Sequence, residues 1–458
     1  MHPPTANGNS RLSFWRRVRE YAVPPSMIET ATARRHVGDW AGACAAAGVD
    51  VDLDLRLLTR THGRELTAQV RDDLRHLAPD LLRWHMPRVA PDGLLRPGLT
   101  VALARYRHQD PVYLVVRTPP AWAEGGQRIS LALWDGDRLR AGAARHPRAR
   151  PSPRFRLDLH RHLWDARRPG ELPLRAGAGP RTGQGDQPVP LAPGHHCAVD
   201  RWADETRIVL RDAERTSGAV TVRVGVRQRL RLDLAEDDQG GAAPALRIGR
   251  APTDGSATAL PVLPEAATYV LPDLELLRAG AIEPGRLHPL VASALVPGHA
   301  PAGPPRTPAP APAGRPQVVE CRGAQHRIGL VDGVLAPLDH DPDELRREEL
   351  LVALTGTPLP CLRAVDRAHR RPDCLTDVRE RLDHGDTAGA LAVVEGLLGP
   401  GAHLRDGPLR DALEAAARRR ILHGLYRSGM SEPAPRFGLP DPARPGYHRS
   451  HPRHATYD

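Results

Sequence analysis

Residues 297–316 carry eight prolines in twenty positions, and no other feature limits the fold as much. Proline fixes φ and removes a backbone donor, so this density excludes helix interior and inner strand alike. The stretch reads as an extended, exposed and protease-sensitive linker. What flanks it must fold as separate blocks, and 458 residues leave room for two or three domains.

Apolar periodicity and turn residues fill in those blocks. The segment 11–87 is expected to be helical. Arg11–Ala22 forms an amphipathic helix stopped by Pro24 and Pro25, and Ser26 with Glu29 offers a capping box for the next. Gly38 and Asp39 then end that second helix and cap a third over Trp40–Ala47. In the mixed region 95–168, alternation and β-branching predict strands at Leu99–Tyr106, Val112–Arg117 and Ile129–Trp134. Phe155–Arg168 resumes order as a strand or as a helix capped by Asp158. Residues 169–198 form a Pro/Gly-rich loop. The region 199–296 combines a helix near Val199–Ala213 with a hairpin of Ala219–Gly225 and Gln228–Leu234. Beyond the linker, 317–430 reads as a β-meander followed by helices, and 431–458 as a disordered tail. The fold class is α+β and multidomain, with helical blocks at both ends and small antiparallel sheets between.

All 64 basic residues are arginine, and lysine is absent. That excludes a P-loop NTPase, a protein kinase, a pyridoxal enzyme and a Schiff-base aldolase, each of which needs a lysine amine. The surplus of Ala, Arg, Gly and Pro suits a GC-rich bacterial genome. Five cysteines stand far apart without a Cys-x-x-Cys pair, which points to reduced thiols in a cytoplasm. No run approaches the roughly 18 apolar residues of a membrane span, and no membrane association is expected.

The candidate chemistries each meet a plainer reading. Asp50, Asp52 and Asp54 resemble a metal-carboxylate run, yet Leu55 stands where a calcium loop needs glycine, so helix capping is the expected role. His160 and His162 would share a face only on a strand, and no third ligand follows at a recognisable spacing. His195, His196 and Cys197 crowd one loop end. Asp339 to Glu344 reads as a helix start, with Asp341 as cap and Pro342 in the first turn. His448, His451 and His454 in the tail could bind metal weakly. Neither a nucleophile elbow nor a metalloprotease motif occurs, so no catalytic residue, metal site or cofactor is expected.

Charge offers one positive lead. Residues 138–168 hold ten arginines against Asp158 and Asp165, a local balance of +8. Arg138, Arg140, Arg145, Arg148, Arg150, Arg154 and Arg156 are the candidate contacts to nucleic acid or another polyanion. Two further features stand out. Gly38-Asp-Trp-Ala-Gly-Ala-Cys-Ala45 matches Gly385-Asp-Thr-Ala-Gly-Ala-Leu-Ala392 at six of eight positions. Both read as inter-helix turns. The last helix, capped by Asp406 and ended by Gly429, repeats Leu409, Leu413, Ala416, Ile421 and Leu425 along one face. That stripe packs on Thr387–Leu398 or docks a partner. The function expected is that of a non-catalytic interaction or accessory subunit, with polyanion binding and a hydrolase of unrecognised site as alternatives.

Overall fold

The computed structural model describes residues 5–106, 111–136, 146–177, 196–225, 228–235, 246–252, 259–299, 317–321, 323–355, 359–370 and 372–430. The loop 178–195, most of the proline-rich stretch and the tail from 431 therefore lie outside the described residues. The chain is an α+β protein with helices at both ends and small, mostly antiparallel sheets. It divides into two compact units. Among the described residues, the first comprises those of 5–122 and 127–299, and the second those of 123–126 and 317–430.

The first unit opens with α1 (Thr5–Tyr21), α2 (Pro25–His36) and α3 (Trp40–Ala46). Pro25 occupies the first turn of α2, so the chain enters through Pro24 and Ser26 falls inside the helix without capping it. The expected capping box is thus replaced by proline geometry. Asp39 does cap α3, accepting from the Gly42 amide at 2.8 Å. The acidic run that follows is split between two roles. Val49–Asp52 is strand β1, with Asp50 facing Arg128, while Asp54 caps α4 (Leu55–His76) through the amides of Arg56 and Leu57.

After α5 (Pro79–His85) and the short ribbon β2 (Arg88–Val89) and β3 (Leu94–Leu95) come β4 (Thr100–Tyr106), β5 (Val112–Arg117) and β6 (Ile129–Trp134). They build a sheet of order β1-β6-β5-β4, in which only β1 runs parallel to its neighbour. β4 and β5 are buried nearly throughout, which explains their almost continuous apolar runs. Phe155–Arg168 is neither strand nor long helix. It forms two 3-10 turns, Leu157–Leu159 and Arg161–Leu163, pinned by the Trp164 indole on the Leu157 carbonyl at 3.0 Å. Helix α6 (Leu172–Ala176) follows.

A second core in this unit joins α7 (Trp202–Asp212) to the hairpin β7 (Gly218–Val224) and β8 (Gln228–Leu234), with β9 (Leu246–Arg250) on its edge. Helix α8 (Glu265–Thr268) joins this second core through Ala267, whereas α9 (Pro272–Arg278) and α10 (Pro289–Leu295) return to the first, where Leu274 and Val291 pack with residues of α1, α4 and α5.

The second unit is a meander, β10 (Gln317–Cys321), β11 (Ala324–Val331) and β12 (Val334–Pro337), followed by α11 (Pro342–Thr355), α12 (Pro360–Arg370), α13 (Leu375–His384), α14 (Thr387–Leu398) and α15 (Pro408–Ser428). Helix α15 is capped by Gly407, because the Asp406 carboxylate is held by Arg410 at 2.6 Å. It packs mainly against α13 and α12, and its Leu409 and Ala416 share one core cluster with Ala390, Val394 and Leu398 of α14.

Candidate functional site

The first unit holds a cavity of about 170 Å³, walled largely by apolar side chains and lined by α1, α5, the two 3-10 turns, α6 and the segment 265–272. Helix α1 supplies Arg11, Phe14, Trp15 and Arg19, at i, i+3, i+4 and i+8, which set them along one helical face. Phe14 and Trp15 meet edge to face with centroids 5.1 Å apart. Arg19 is anchored at the base. Its guanidinium forks onto Asp273 at 2.9 and 2.7 Å and also donates to the Trp84 carbonyl at 2.7 Å. The Trp84 indole donates to the same Asp273 at 3.0 Å, and Asp273 is fully buried. A buried pair of this kind holds only because the fork and the extra donors satisfy both ions.

Arg88 lines the same cavity under different conditions. It is buried, and its guanidinium donates to the Arg83 carbonyl at 2.7 Å and the Gly93 carbonyl at 3.4 Å. Its Nε has no hydrogen-bond partner among the described residues, and no carboxylate there pairs with it. Burial, then Arg83 and Arg19, hold its pKa well below the usual arginine value.

Two histidines add to this. His85 Nε2 and His162 Nδ1 are buried without a partner among the described residues. Burial pushes both pKa values well below 6.5, aided by Arg19 beside His85 and by His160 and Arg175 near His162. Both rings are therefore neutral at pH 7, and each keeps a nitrogen for a ligand.

Behind Arg175, and outside the lining itself, the buried carboxylate of Glu205 collects three donors. Arg175 approaches at 2.6 and 2.8 Å, Arg201 at 3.0 Å and His160 at 3.1 Å. Burial alone would raise the Glu205 pKa, but His160 and Arg175 outweigh it and hold the group at about 2. One carboxylate thus serves two arginines, of which Arg175 lines the cavity, and Arg88 has no carboxylate partner among the described residues. Positive potential over aromatic and aliphatic walls suits a small anion with an apolar body.

The sequence candidates scatter elsewhere. Arg138, Arg140 and Arg145 lie outside the described residues, and so do His195 and the tail histidines. Arg148 and Arg150 are exposed. Arg154 pairs with Glu265 at 2.7 Å, and Arg156 binds Asp212 at 2.8 Å and also Asp158, at the cavity margin. Further along the same segment, Arg161 and Arg167 are held by Asp73, Asp72 and Asp165. His196 meets Glu275 at 3.0 Å, and burial pushes the Cys197 thiol up to about 12. Asp341 caps α11 through the Asp343 amide at 3.1 Å. On α15, Leu409 and Ala416 are buried, whereas Ile421 and Leu425 are exposed.

Sequence reasoning missed Arg19, His85, Arg88, Glu205 and Asp273. The one signal available was the clustering of aromatic and basic residues on one side of α1. Among the described residues, the group able to share a metal ion is Cys321, His340 and Cys361 in the second unit. No described helix is long and apolar enough to cross a membrane. No family model matches the chain, and neither a curated protein nor a solved structure is similar to it.

Proposed function

We propose that the first unit is a recognition module for a small organic anion with an apolar or aromatic body, and that the protein acts as a non-catalytic accessory subunit. Arg88 carries this reading. A buried guanidinium supported by carbonyl oxygens alone is costly, and a ligand carboxylate or phosphate would supply the missing counter-charge. His85 and His162 add neutral donors or acceptors, and Phe14, Trp15 and Phe155 give the apolar walls. Nothing in the cavity supplies an activated nucleophile: Cys197 lies outside its lining and its thiol stays protonated at neutral pH.

The test is a thermal-shift and calorimetric screen of aromatic carboxylates and organic phosphates against their neutral amides and alcohols. Selective stabilisation by the anions is expected. Arg88→Met, which keeps an unbranched chain but removes the buried charge, should remove that selectivity, with circular dichroism of the variant checking that it folds. Equal response to anions and neutral analogues would sink the reading. A second reading, polyanion binding, is favoured only by the exposed Arg148 and Arg150. It requires heparin retention that falls with salt and weakens when both become alanine.

A further inference from the structure

The second unit brings together three side chains that lie 19 and 21 positions apart in sequence. Cys321 closes β10, His340 follows β12, and Cys361 stands in the first turn of α12. One ligand atom from each lies within 4.8 Å of the others. Both thiols are completely buried, and the His340 side chain is 4% exposed. They sit in a small satellite cluster with Leu359, apart from the main core of this unit.

As ordinary core this corner is badly made. His340 Nε2 and His326 Nδ1 are buried without a hydrogen-bond partner among the described residues. The two imidazoles stack with centroids 4.2 Å apart and planes inclined by 18°. Orphaned ring nitrogens cost free energy that four apolar side chains would not. Two sulfurs and two imidazoles are, however, a ligand set for a thiophilic divalent ion. Metal–sulfur and metal–nitrogen bonds of about 2.3 and 2.0 Å place tetrahedral ligand atoms roughly 3.3–3.8 Å apart. Side-chain shifts of about an ångström close the present spread to that range. Behind the His340 ring, Glu344 Oε2 lies 3.7 Å from Nδ1, one small side-chain shift from a hydrogen bond. A carboxylate on the far nitrogen is the usual support of a metal-bound histidine and leaves Nε2 as the ligand atom.

We propose that Cys321, His340 and Cys361 hold a zinc-class divalent cation, and that His326, which lies outside their cluster, turns out of its stack on His340 to become the fourth ligand. Four protein ligands in a buried site leave no open position for substrate, so the ion is structural. It ties the end of β10, the junction between β12 and α11, and the start of α12 into one body.

The experiment uses the full-length chain, purified without a histidine tag under reducing conditions, with its metal content measured by mass spectrometry. Stoichiometric zinc is expected. Titration with cobalt(II) should give the visible bands of a tetrahedral site and a thiolate-to-cobalt charge-transfer band. That band distinguishes the site from the tail histidines, which bring no thiolate. Cys321→Ser and Cys361→Ser should abolish it, Cys374→Ser should keep it, and His326→Ala should alter the visible bands. A wild-type chain that takes up cobalt without the charge-transfer band overturns the proposal, and this readout does not depend on how the variants fold. A Cys321–Cys361 disulfide in the freshly purified protein also overturns it. Unchanged visible bands in His326→Ala overturn His326 as the fourth ligand.

Discussion

The same helical hairpin is built once in each unit, and the two copies share a turn but not a length. At the turn they are nearly superposable in their chemistry. Gly38 and Gly385 both take positive φ, at 78° and 89°. Asp39 and Asp386 accept from the amides of Gly42 and Gly389 at 2.8 and 2.9 Å. Five residues upstream of each cap, Arg34 and Arg381 reach the second carboxylate oxygen at 3.1 and 3.0 Å. Even the packing register agrees, since Ala31 and Ala43 in one copy, like Val378 and Ala390 in the other, are completely buried. After the turn they diverge. Gly48, at φ 68°, stops α3 after seven residues, whereas Glu395 at the equivalent place lets α14 run for twelve, to Gly399. The lesson is that the cap and the stop are separate local decisions. A conserved turn chemistry fixes how two helices meet and says nothing about how far the second continues.

The units around these hairpins should respond differently to acid, and this is the largest effect expected. His85 and His162 are held neutral in the first unit, with pKa values well below 6.5. Their stabilising contribution is complete above the unfolded value and is lost as pH falls below it, because the unfolded chain takes up the protons first. Each costs about 1.4 kcal/mol per pH unit. Lowering the pH from 7.5 to 5.5 should therefore remove about 3 kcal/mol from the first unit. Glu205, held at about 2, stays ionised over that range and begins to lose its contribution only below 4.5. All seven tryptophans lie between residues 15 and 202, so tryptophan fluorescence reads this unit alone. A denaturation midpoint that does not move across this range would show that neither ring is kept neutral.

The two caps give the next test. Asp386 has a 7% exposed side chain, while that of Asp39 is 37% exposed. Asp386→Ala should cost about 2 kcal/mol and Asp39→Ala about 1 kcal/mol, the upper and middle of the range for a lost cap. Circular dichroism must follow the first, because the second unit has no tryptophan, and fluorescence can follow the other. Equal costs would mean that burial adds nothing to the cap. The smallest effect lies at the third helical position. A Cβ at Gly42 or Gly389 would sit 2.1 Å from the capping carboxylate. Alanine there gains about 1 kcal/mol of helix propensity and loses a cap worth about the same. Near-zero change in both copies is the expected result, and a clear gain in either would show that its cap contributes little.

These hairpins were legible because all their determinants fall within about a dozen residues. Ser26 shows how a local rule fails, since Pro25 claimed the first helical position and drew the start one residue upstream. Asp406 failed likewise, to the competing grip of Arg410. Three strands of the main sheet were readable from β-branching, but β1 and its parallel pairing with Ile129–Ala132 were not, because the alternating aspartates of 50–54 read as helix caps. Least readable was the cavity. Its distinguishing facts are that Asp273 reaches Arg19 and that no carboxylate reaches Arg88, and no spacing rule encodes either. The thiol cluster escaped for the same reason, being assembled from a strand end, a loop and a helix start.

The bond between Arg19 and Asp273 joins residues 254 positions apart. At roughly 5–20 residues per second of synthesis, α1 waits some tens of seconds on the ribosome for its counter-ion. During that interval its aromatic residues and arginine face the solvent, open to whatever binds nascent chains. The hairpin of α13 and α14, by contrast, can close as soon as it emerges. The first unit thus commits late and all at once, and a truncation that stops short of α9 would release a chain with its first helix still unanchored.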